Sequence, residues 1–270
     1  MAAPLAAFRF VLASAAVFTA TVHGSLTAAG PISLRAHMAP PSDAPMPTGI
    51  SAMPLRDRFA TKSGAPPSGR YETDEGGVFI FDRTEAKPLL KFEDDPEIWA
   101  LQPAPGPRGD VIYRNDLGEE MLRATSLGGM TVFTDKRPGG SPAALDGASP
   151  PLHIPALSPA GLFSRFYQAS VRASRAAQHP IGFETRQDAE PATAAAIADA
   201  ALVAGEALAD MSASPKGKAL LARVADVIIA QGGRPTVAMQ KGALVVTIVA
   251  GQGVFGRPSS RMIERAAGVR

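Results

Sequence analysis

Residues 88–102, PLLKFEDDPEIWALQ, place two short apolar runs on either side of an acidic turn. The runs Pro88–Phe92 and Glu97–Gln102 carry the aromatic and branched side chains that are typical of strands. The connection Glu93–Pro96 is short and contains proline, and parallel neighbours would need a crossover of about a dozen residues or more. The stretch therefore predicts two antiparallel strands joined by a tight turn, with Trp99 anchoring the packing of the second strand.

The same pattern of apolar run and turn repeats along residues 71–137. Each connection is short and rich in Gly, Pro, Asn or Asp, as in antiparallel hairpins. We therefore predict an antiparallel β-meander of about six strands, which either curls into a small barrel or packs on later helices. The other four predicted strands are Gly77–Phe81, Asp110–Arg114, Glu119–Thr125 and Met130–Thr134.

The second half of the chain has helical signals, so the predicted fold class is α+β. Residues 138–157 (PGGSPAALDGASPPLHIPAL) predict a linker, and residues 158–270 a mixed α/β region with three main helices and a β-hairpin. Ser-Pro pairs, a helix cap followed by proline in the first turn, open the first and third helices. The predicted elements are helices at 158–178, Pro191–Met211 and from Pro215 to the Gly232-Gly233 stop, a hairpin of Arg234–Met239 with Ala243–Ala250, and a short last helix at Ser259–Ala266.

The first residues predict export. A basic residue, Arg9, precedes an uncharged run from Phe10 to Val22 and then small residues, which is the pattern of a secretory signal peptide at 1–24. The apolar run is shorter than the roughly 20 residues of a membrane span. Residues 25–70 are rich in Pro and Ala without apolar periodicity and predict a flexible arm.

The totals exclude several classes of function. Basic and acidic residues nearly balance, 27 against 25, so no nucleic-acid partner is indicated. Cysteine is absent, so neither disulfides nor a lipid-anchored cysteine can form. Later apolar stretches are too short or too charged for a transmembrane helix after signal removal.

The acids Glu93, Asp94, Asp95 and Glu97 could bind calcium, yet they lack the ordered spacing of a calcium loop. We interpret them as a solvated turn.

The GQGVFG stretch at 251–256 matches a dinucleotide-binding pattern, but too little chain follows for the second half of such a unit. We interpret it as a glycine turn that lets the backbone pass close to a sheet.

No set of residues indicates catalysis. The four histidines have no metal-binding spacing, and Asp146 and His153 lie in the predicted linker without a serine elbow nearby. We therefore predict no catalytic, cofactor or metal site. A hydrolase site assembled from distant positions remains an alternative.

The helix predicted at 158–178 suggests one alternative function, contact with a membrane surface. Basic residues flank an aromatic stripe, an arrangement of helices that lie on anionic membranes. The simpler interpretation is that the aromatic stripe packs in the core and the arginines are solvated. The C-terminal residues Arg257, Arg261, Arg265 and Arg270 are likewise predicted to be a solvated face. Their alternative role is contact with an acidic envelope polymer. The candidates for membrane or partner contact are Phe163, Phe166, Arg165, Arg172 and Arg175.

Three short motifs carry a family resemblance: GEEMLRAT with GGMTVFT at 118–134, the following Pro138-Gly139-Gly140, and GRPSS at 256–260. With them, residues 70–265 resemble an uncharacterised alphaproteobacterial family of exported proteins, a domain of unknown function. The resemblance implies no activity, ligand or catalytic residue. We therefore expect an exported protein, periplasmic or secreted, that acts in binding or envelope assembly without enzymatic activity. Its expected partner is an envelope protein or polymer. The alternatives are an envelope hydrolase and a peripheral membrane protein.

Overall fold

The computed structural model describes residues 65–85, 87–186 and 190–269. The predicted signal peptide at 1–24 and most of the predicted arm at 25–70 lie outside these residues. The described part contains two sheets and four helices. The predicted α+β class is confirmed.

The first sheet is antiparallel and has nine strands in the order β4-β3-β2-β1-β9-β8-β7-β6-β5. Every predicted strand is present in it. The strands are β1 (Gly69–Thr73), β2 (Val78–Asp82), β3 (Leu89–Phe92), β4 (Ile98–Ala100), β5 (Gln102–Pro105), β6 (Val111–Arg114), β7 (Glu120–Ala124), β8 (Met130–Thr134) and β9 (Arg137–Gly147).

Leu101 joins the two ends of this sheet. It is the single residue between β4 and β5, the first and last strands of the sheet order, and its N–H donates to the Pro88 carbonyl at 2.9 Å. The ends of the sheet must therefore meet, and the sheet forms a near-barrel. This corrects the six-strand meander. The predicted strand Glu97–Gln102 is divided at Leu101 into β4 and β5, and two further strands, β1 and β9, pair with each other and complete the circuit.

The strand β9 begins the segment predicted as a linker at 138–157. Its sequence, RPGGSPAALDG, has prolines and glycines that disfavour strands. Tertiary pairing overrides that preference, since β9 is bonded to β8 on one side and to β1 on the other. Gly140, at φ +83°, sits where an added Cβ would lie 2.5 Å from Cγ2 of Thr131, so the strands approach closely there.

Alternate side chains of the strands fill the interior of the near-barrel. The rings of Tyr71 and Phe79 stack at 5.4 Å, and Phe81 meets Tyr113 edge-on at 5.0 Å. Burial of so many aromatic and aliphatic groups is the main stabilising contribution here. The buried set is Tyr71, Phe79, Phe81, Leu90, Trp99, Leu101, Tyr113, Met121, Leu122, Ala124, Met130 and Val132.

The second sheet has four strands in the order β10-β11-β13-β12, of which the first three are parallel and β12 is antiparallel to β13. Helices cover one of its faces, where apolar side chains of α1 and α2 meet those of the sheet. The elements are α1 (Pro159–Ala177), β10 (Gly182–Thr185), α2 (Pro191–Met211), α3 (Pro215–Leu221), β11 (Asp226–Gln231), β12 (Thr236–Gln240), β13 (Ala243–Ile248) and α4 (Ser260–Ala267).

The predicted third helix is wrong beyond its first two turns. It ends at Leu221, and Val227 and Ile228 lie in β11, a strand that is parallel to both its neighbours. A central parallel strand is apolar on both faces, so a short run of branched residues also satisfies helical spacing. Pairing with β10 and β13 makes this run a strand and not a helix.

The other helix and hairpin predictions are confirmed. Ser158 caps α1 by accepting from the Gly161 N–H at 3.2 Å, and α2 has the predicted bounds. The β12–β13 hairpin turns at Lys241 and Gly242. Local caps and turn residues, rather than long-range strand pairing, determine where these helices and this hairpin begin and end.

Candidate functional site at the upper end of the near-barrel

Four strand connections lie at one end of the near-barrel, which we call the upper end. They join β1 to β2, β3 to β4, β6 to β7 and β8 to β9. Because antiparallel strands alternate in direction, these connections share one side of the sheet. Carboxylates from three of them contact the segment 257–261 at the start of α4.

The β6–β7 connection holds the first turn of α4. The carboxylate of Asp116 accepts from the Ser259 N–H at 2.8 Å and from its hydroxyl at 2.7 Å. The Ser259 hydroxyl oxygen in turn accepts from the Met262 N–H at 3.1 Å, as an N-cap does. An anionic group at a helix N-terminus is also favoured by the helix dipole.

The β3–β4 connection contributes a buried ion pair. Nη1 of Arg257 lies 3.0 Å from Oε1 of Glu97, and the two side chains are 3% and 1% exposed. The same guanidinium also pairs with Asp199 of α2 and donates to the Ile98 carbonyl at 2.7 Å. Arg257 therefore ties a loop, a helix and a strand together in one buried network.

Glu97 is unusual because it is buried while it shares its cation with a second carboxylate. Burial raises the pKa of Glu97 to about 7, although Arg257 and the Ser260 N–H act to lower it. The ordinary pKa of a glutamate is near 4.5. Its charge state thus changes near neutral pH.

The GQGVFG stretch leads the chain into this network. Gly253–Gly256 form a 3-10 turn, and the Val249 N–H donates to the Gly256 carbonyl at 2.7 Å. A Cβ on Gly256 would lie 2.3 Å from the Val249 carbonyl oxygen. The glycine therefore serves close backbone approach, which places Arg257 next to Glu97.

A cavity of about 1060 Å³ opens between the upper end and the helices α2 and α4. Its lining includes interior side chains of the near-barrel, among them Phe79, Trp99 and Met121. Polar lining comes from the upper connections and from the two helices. This is the size of pocket that takes small organic ligands.

The cavity lining is strongly acidic. It includes nine carboxylates and three basic side chains. Five of these carboxylates are in ion pairs with arginines, and the remaining excess of acids favours cations. The carboxylates are Glu75, Glu93, Asp94, Asp95, Glu97, Asp135, Glu206, Asp210 and Glu264, and the basic residues are Lys136, Arg137 and Arg261.

Carboxylates from opposite walls perturb one another. Partial burial raises the pKa of Asp210 to about 6, helped by the negative charges of Glu206, Glu264 and Asp95. Burial also raises the pKa of Glu206, with Arg172 opposing and Asp95 adding to the rise. Crowded like charges at a cavity are a feature of functional sites, because they destabilise the empty protein and are relieved by a bound cation.

The acidic turn at 93–97 is only partly the solvated turn that we predicted. Glu93 and Asp94 are exposed, but Glu97 is buried. Asp95 accepts from the Glu97 N–H at 2.8 Å and from Nε1 of Trp99 at 3.4 Å. Trp99 is 5% exposed and packs in the core, yet it also lines the cavity beside Asp94 and Asp95.

Two of the C-terminal arginines are not a solvated face. Arg257 is buried in the network described above, and Arg261 pairs with Glu119 at 2.8 Å and Asp135 at 2.9 Å. Arg265 lies 3.8 Å from Glu119. The sequence prediction missed these pairs because their acids lie at least 58 residues away along the chain.

The structure separates the residues proposed for membrane or partner contact on α1. Phe166 is buried against Phe183, with ring centroids 6.5 Å apart, whereas Phe163 is half exposed. Arg172 pairs with Glu206 at 2.5 Å, which brings it beside the cavity, and Arg165 donates to Gln168 at 3.3 Å. Arg175 is exposed. In the described residues no helix combines the length and apolar character of a membrane span.

The hydrogen-bond contacts given by the described histidines are with backbone carbonyls. His153 contacts the Pro151 carbonyl at 3.3 Å, and His179 contacts the carbonyls of Pro180 and Leu221. Across residues 65–85, 87–186 and 190–269, no group of three or more His, Asp or Glu side chains is arranged to hold a metal ion.

Residues 53–267 match a protein family described as a domain of unknown function, DUF4908. The chain belongs to this family. The match spans both sheets, all four helices and every residue of the cavity. The DUF4908 domain is therefore the unit that builds the site. Comparisons with curated proteins and with solved structures give no match.

One sequence signal could have pointed to the helical wall of the cavity. Asp199, Glu206 and Asp210 interrupt the alanine-rich helix α2 at intervals of seven and four residues, which places them on one helical face. An acidic stripe on an otherwise apolar helix needs either solvent or cationic partners. Here Asp199 meets Arg257, and Glu206 and Asp210 face the cavity.

Proposed function

We propose that this DUF4908 protein is an exported, non-enzymatic binding protein whose cavity takes an organic cation. The observation that carries the proposal is the cavity of about 1060 Å³ with nine carboxylates around an aromatic floor. Carboxylates supply charge for a cationic group, and the partly buried rings of Phe92 and Phe133 supply aromatic surface for it. A ligand with a positive group and an apolar body matches both features.

Export is supported by the pattern at residues 1–24. We expect the mature chain to begin at Ser25 and to occur in the periplasm or outside the cell. Fractionation followed by N-terminal sequencing of the tagged protein tests this. Recovery of the intact Met1 terminus from the cytoplasmic fraction would contradict export without touching the binding proposal.

Binding is tested by calorimetry with spermidine, butylammonium and butylguanidinium, using glycerol and butyrate as neutral and anionic controls. We expect the cations to bind and the controls to give no heat. Asp210→Asn and Asp95→Asn should weaken cation binding by about threefold to tenfold each, as expected for the loss of one partly screened charge.

Glu72→Gln is the matched control, because Glu72 lies on β1, is exposed and does not line the cavity. It removes the same charge as the other two changes and should leave cation affinity within about a factor of two, since exposed charges at a distance are largely screened. Equal losses for all three variants would show a non-specific charge effect and would overturn the proposal.

A further inference from the structure

Arg261 already places a cationic group in the cavity. Its guanidinium carbon lies 5.4 Å from the centroid of the Trp99 ring, in cation–π geometry. Nη1 lies 2.8 Å from a carboxylate oxygen of Glu119, and Nη2 lies 2.9 Å from Asp135. Both terminal nitrogens of this group are therefore engaged while the group lies over the ring.

The position of Arg261 on α4 makes this placement informative. It follows Ser260 in the first turn of the helix, where the helix dipole disfavours a positive charge. Its side chain is nevertheless 13% exposed and reaches the sulfur of Met121, an interior residue, at 3.7 Å. Contacts with the near-barrel, and not the preference of the helix, therefore hold Arg261 in the cavity.

The contacts of Arg261 fit a guanidinium better than an ammonium group. A planar fork can donate from two nitrogens to two carboxylates while its face lies on an aromatic ring. An ammonium has three donors on a single nitrogen and no planar fork, so it matches two separated carboxylates and an aromatic ring less closely. Glu119 and Asp135 come from different upper connections, so their spacing is set by the near-barrel.

We propose that Glu119, Asp135 and Trp99 form a guanidinium subsite, that Arg261 is its internal occupant, and that the ligand is an alkylguanidinium that displaces Arg261. This inference rests on the proposed function, since it names the class of cation and adds autoinhibition. Displacement moves one side chain and breaks no covalent bond. The remaining cavity, lined by Phe79 and Phe92, receives the alkyl part.

The helix does not depend on Arg261 for its attachment. Ser259 is held by Asp116, and Arg257 by Glu97 and Asp199, at the same end of α4. The side chain of Arg261 can therefore leave while α4 stays in place. A tethered group competes at an effective concentration in the millimolar range, so the internal arginine lowers the apparent affinity of a soluble guanidinium.

The test compares Arg261→Ala with Lys136→Ala by calorimetry with butylguanidinium and butylammonium. Both changes remove one positive charge from the cavity lining. We expect Arg261→Ala to raise the affinity for butylguanidinium by about tenfold or more relative to Lys136→Ala, because the tethered competitor is gone. The gain for butylammonium should be equal in the two variants.

Arg261→Gln provides a second variant in case the alanine variant unfolds, because glutamine keeps a polar side chain with an N–H donor group and loses the charge. Addition of millimolar butylguanidinium should raise the melting temperature of either Arg261 variant more than that of Lys136→Ala. Equal gains for both probes, or no gain over Lys136→Ala, would overturn the guanidinium subsite. If wild type and all variants bind no cation at all, the proposed function itself fails.

Discussion

Arg257 and Glu97 form a buried ion pair across 160 residues of sequence, with Nη1 and Oε1 3.0 Å apart. The pair joins the start of α4 to the β3–β4 connection and so fixes one wall of the cavity against another. Breaking a buried pair leaves an uncompensated charge, which costs far more than the pair itself contributes.

Arg257→Ala should therefore lower the free energy of unfolding by about 3–5 kcal/mol, because it leaves Glu97 and Asp199 without their shared cation. Glu97→Gln should cost much less, since the raised pKa of Glu97 means that a neutral side chain is already nearly tolerated. Urea unfolding at pH 7 measures both. A larger loss for Glu97→Gln than for Arg257→Ala would contradict this account of the network.

The stability of the fold should decrease as the pH rises from about 4 to about 7. The pKa values of Glu97, Asp210 and Glu206 are raised by burial, so the folded chain binds protons more tightly than the unfolded chain in this range. The free energy of unfolding therefore falls as these groups lose their protons.

Asp82 acts in the opposite direction and at lower pH. Burial alone would raise its pKa, but hydrogen bonds from the N–H groups of Thr84 and Leu152 lower it. Its contribution to stability is present above its ordinary pKa of 3.8 and is lost as the pH falls through the lowered value.

Denaturant unfolding at pH 5 and pH 8 tests the raised pKa values of Glu97, Asp210 and Glu206. The protein should be more stable at pH 5, and the reverse order would contradict the raised pKa values.

Asp210→Asn should stabilise the empty protein while it weakens cation binding. The change removes a carboxylate whose pKa is raised to about 6, so the gain should appear above pH 6 and vanish near pH 4. Because Asp210 is exposed on the cavity wall, solvent screening limits the gain to about 1 kcal/mol or less. Thermal unfolding at both pH values checks this, and a gain that persists at pH 4 would speak for helix propensity instead.

Ser259→Ala should destabilise the protein more than Ser158→Ala. Both serines cap a helix, and loss of a cap costs about 0.5–2 kcal/mol. Ser259 alone also donates its hydroxyl to Asp116 across the molecule. Urea unfolding of the two variants measures the difference, and equal losses would mean that the Asp116 contact contributes no net stability.

Trp99 offers a direct signal for occupancy of the cavity, because it is the sole tryptophan of the chain and lines the site. Displacement of Arg261 from its ring should change the emission intensity and the emission maximum. Butylguanidinium should therefore give a saturable change with the same affinity as calorimetry. The double variant Glu119→Gln, Asp135→Asn provides the control. If it shows the same fluorescence change with the same affinity for butylguanidinium, the ligand binds elsewhere.

Local signals in the sequence were enough to predict the hairpins, the caps of α1 and α3 and the bounds of α2. Turn residues and capping serines act within a few positions, so a single sequence exposes them. The strand β9 was missed because pairing with β1 and β8 overrides its Pro-rich and Gly-rich composition. In β11 the apolar run fits helix and strand alike, and only its parallel neighbours decide between them.

The candidate site was predictable only in its fragments. The sequence shows the acids at 93–97, the lone tryptophan and a group of C-terminal arginines, but not that they meet. Glu97 and Arg257 become a pair through the closure of the near-barrel and the placement of α4, both long-range events. Crowded acids on a helix such as α2 are the one local feature that could have indicated a partner.

The cavity combines residues from Thr73 on β1 to Glu264 on α4. Since β1 closes the near-barrel only by pairing with β9, and α4 lies at the far end of the matched family region, the site has one of the longest sequence separations in the fold. Contacts of this separation carry a large loop-closure entropy and slow folding. A chain shortened before α4 would lack the helix wall and the internal arginine, so the capacity to bind a ligand would report that the whole domain had been synthesised.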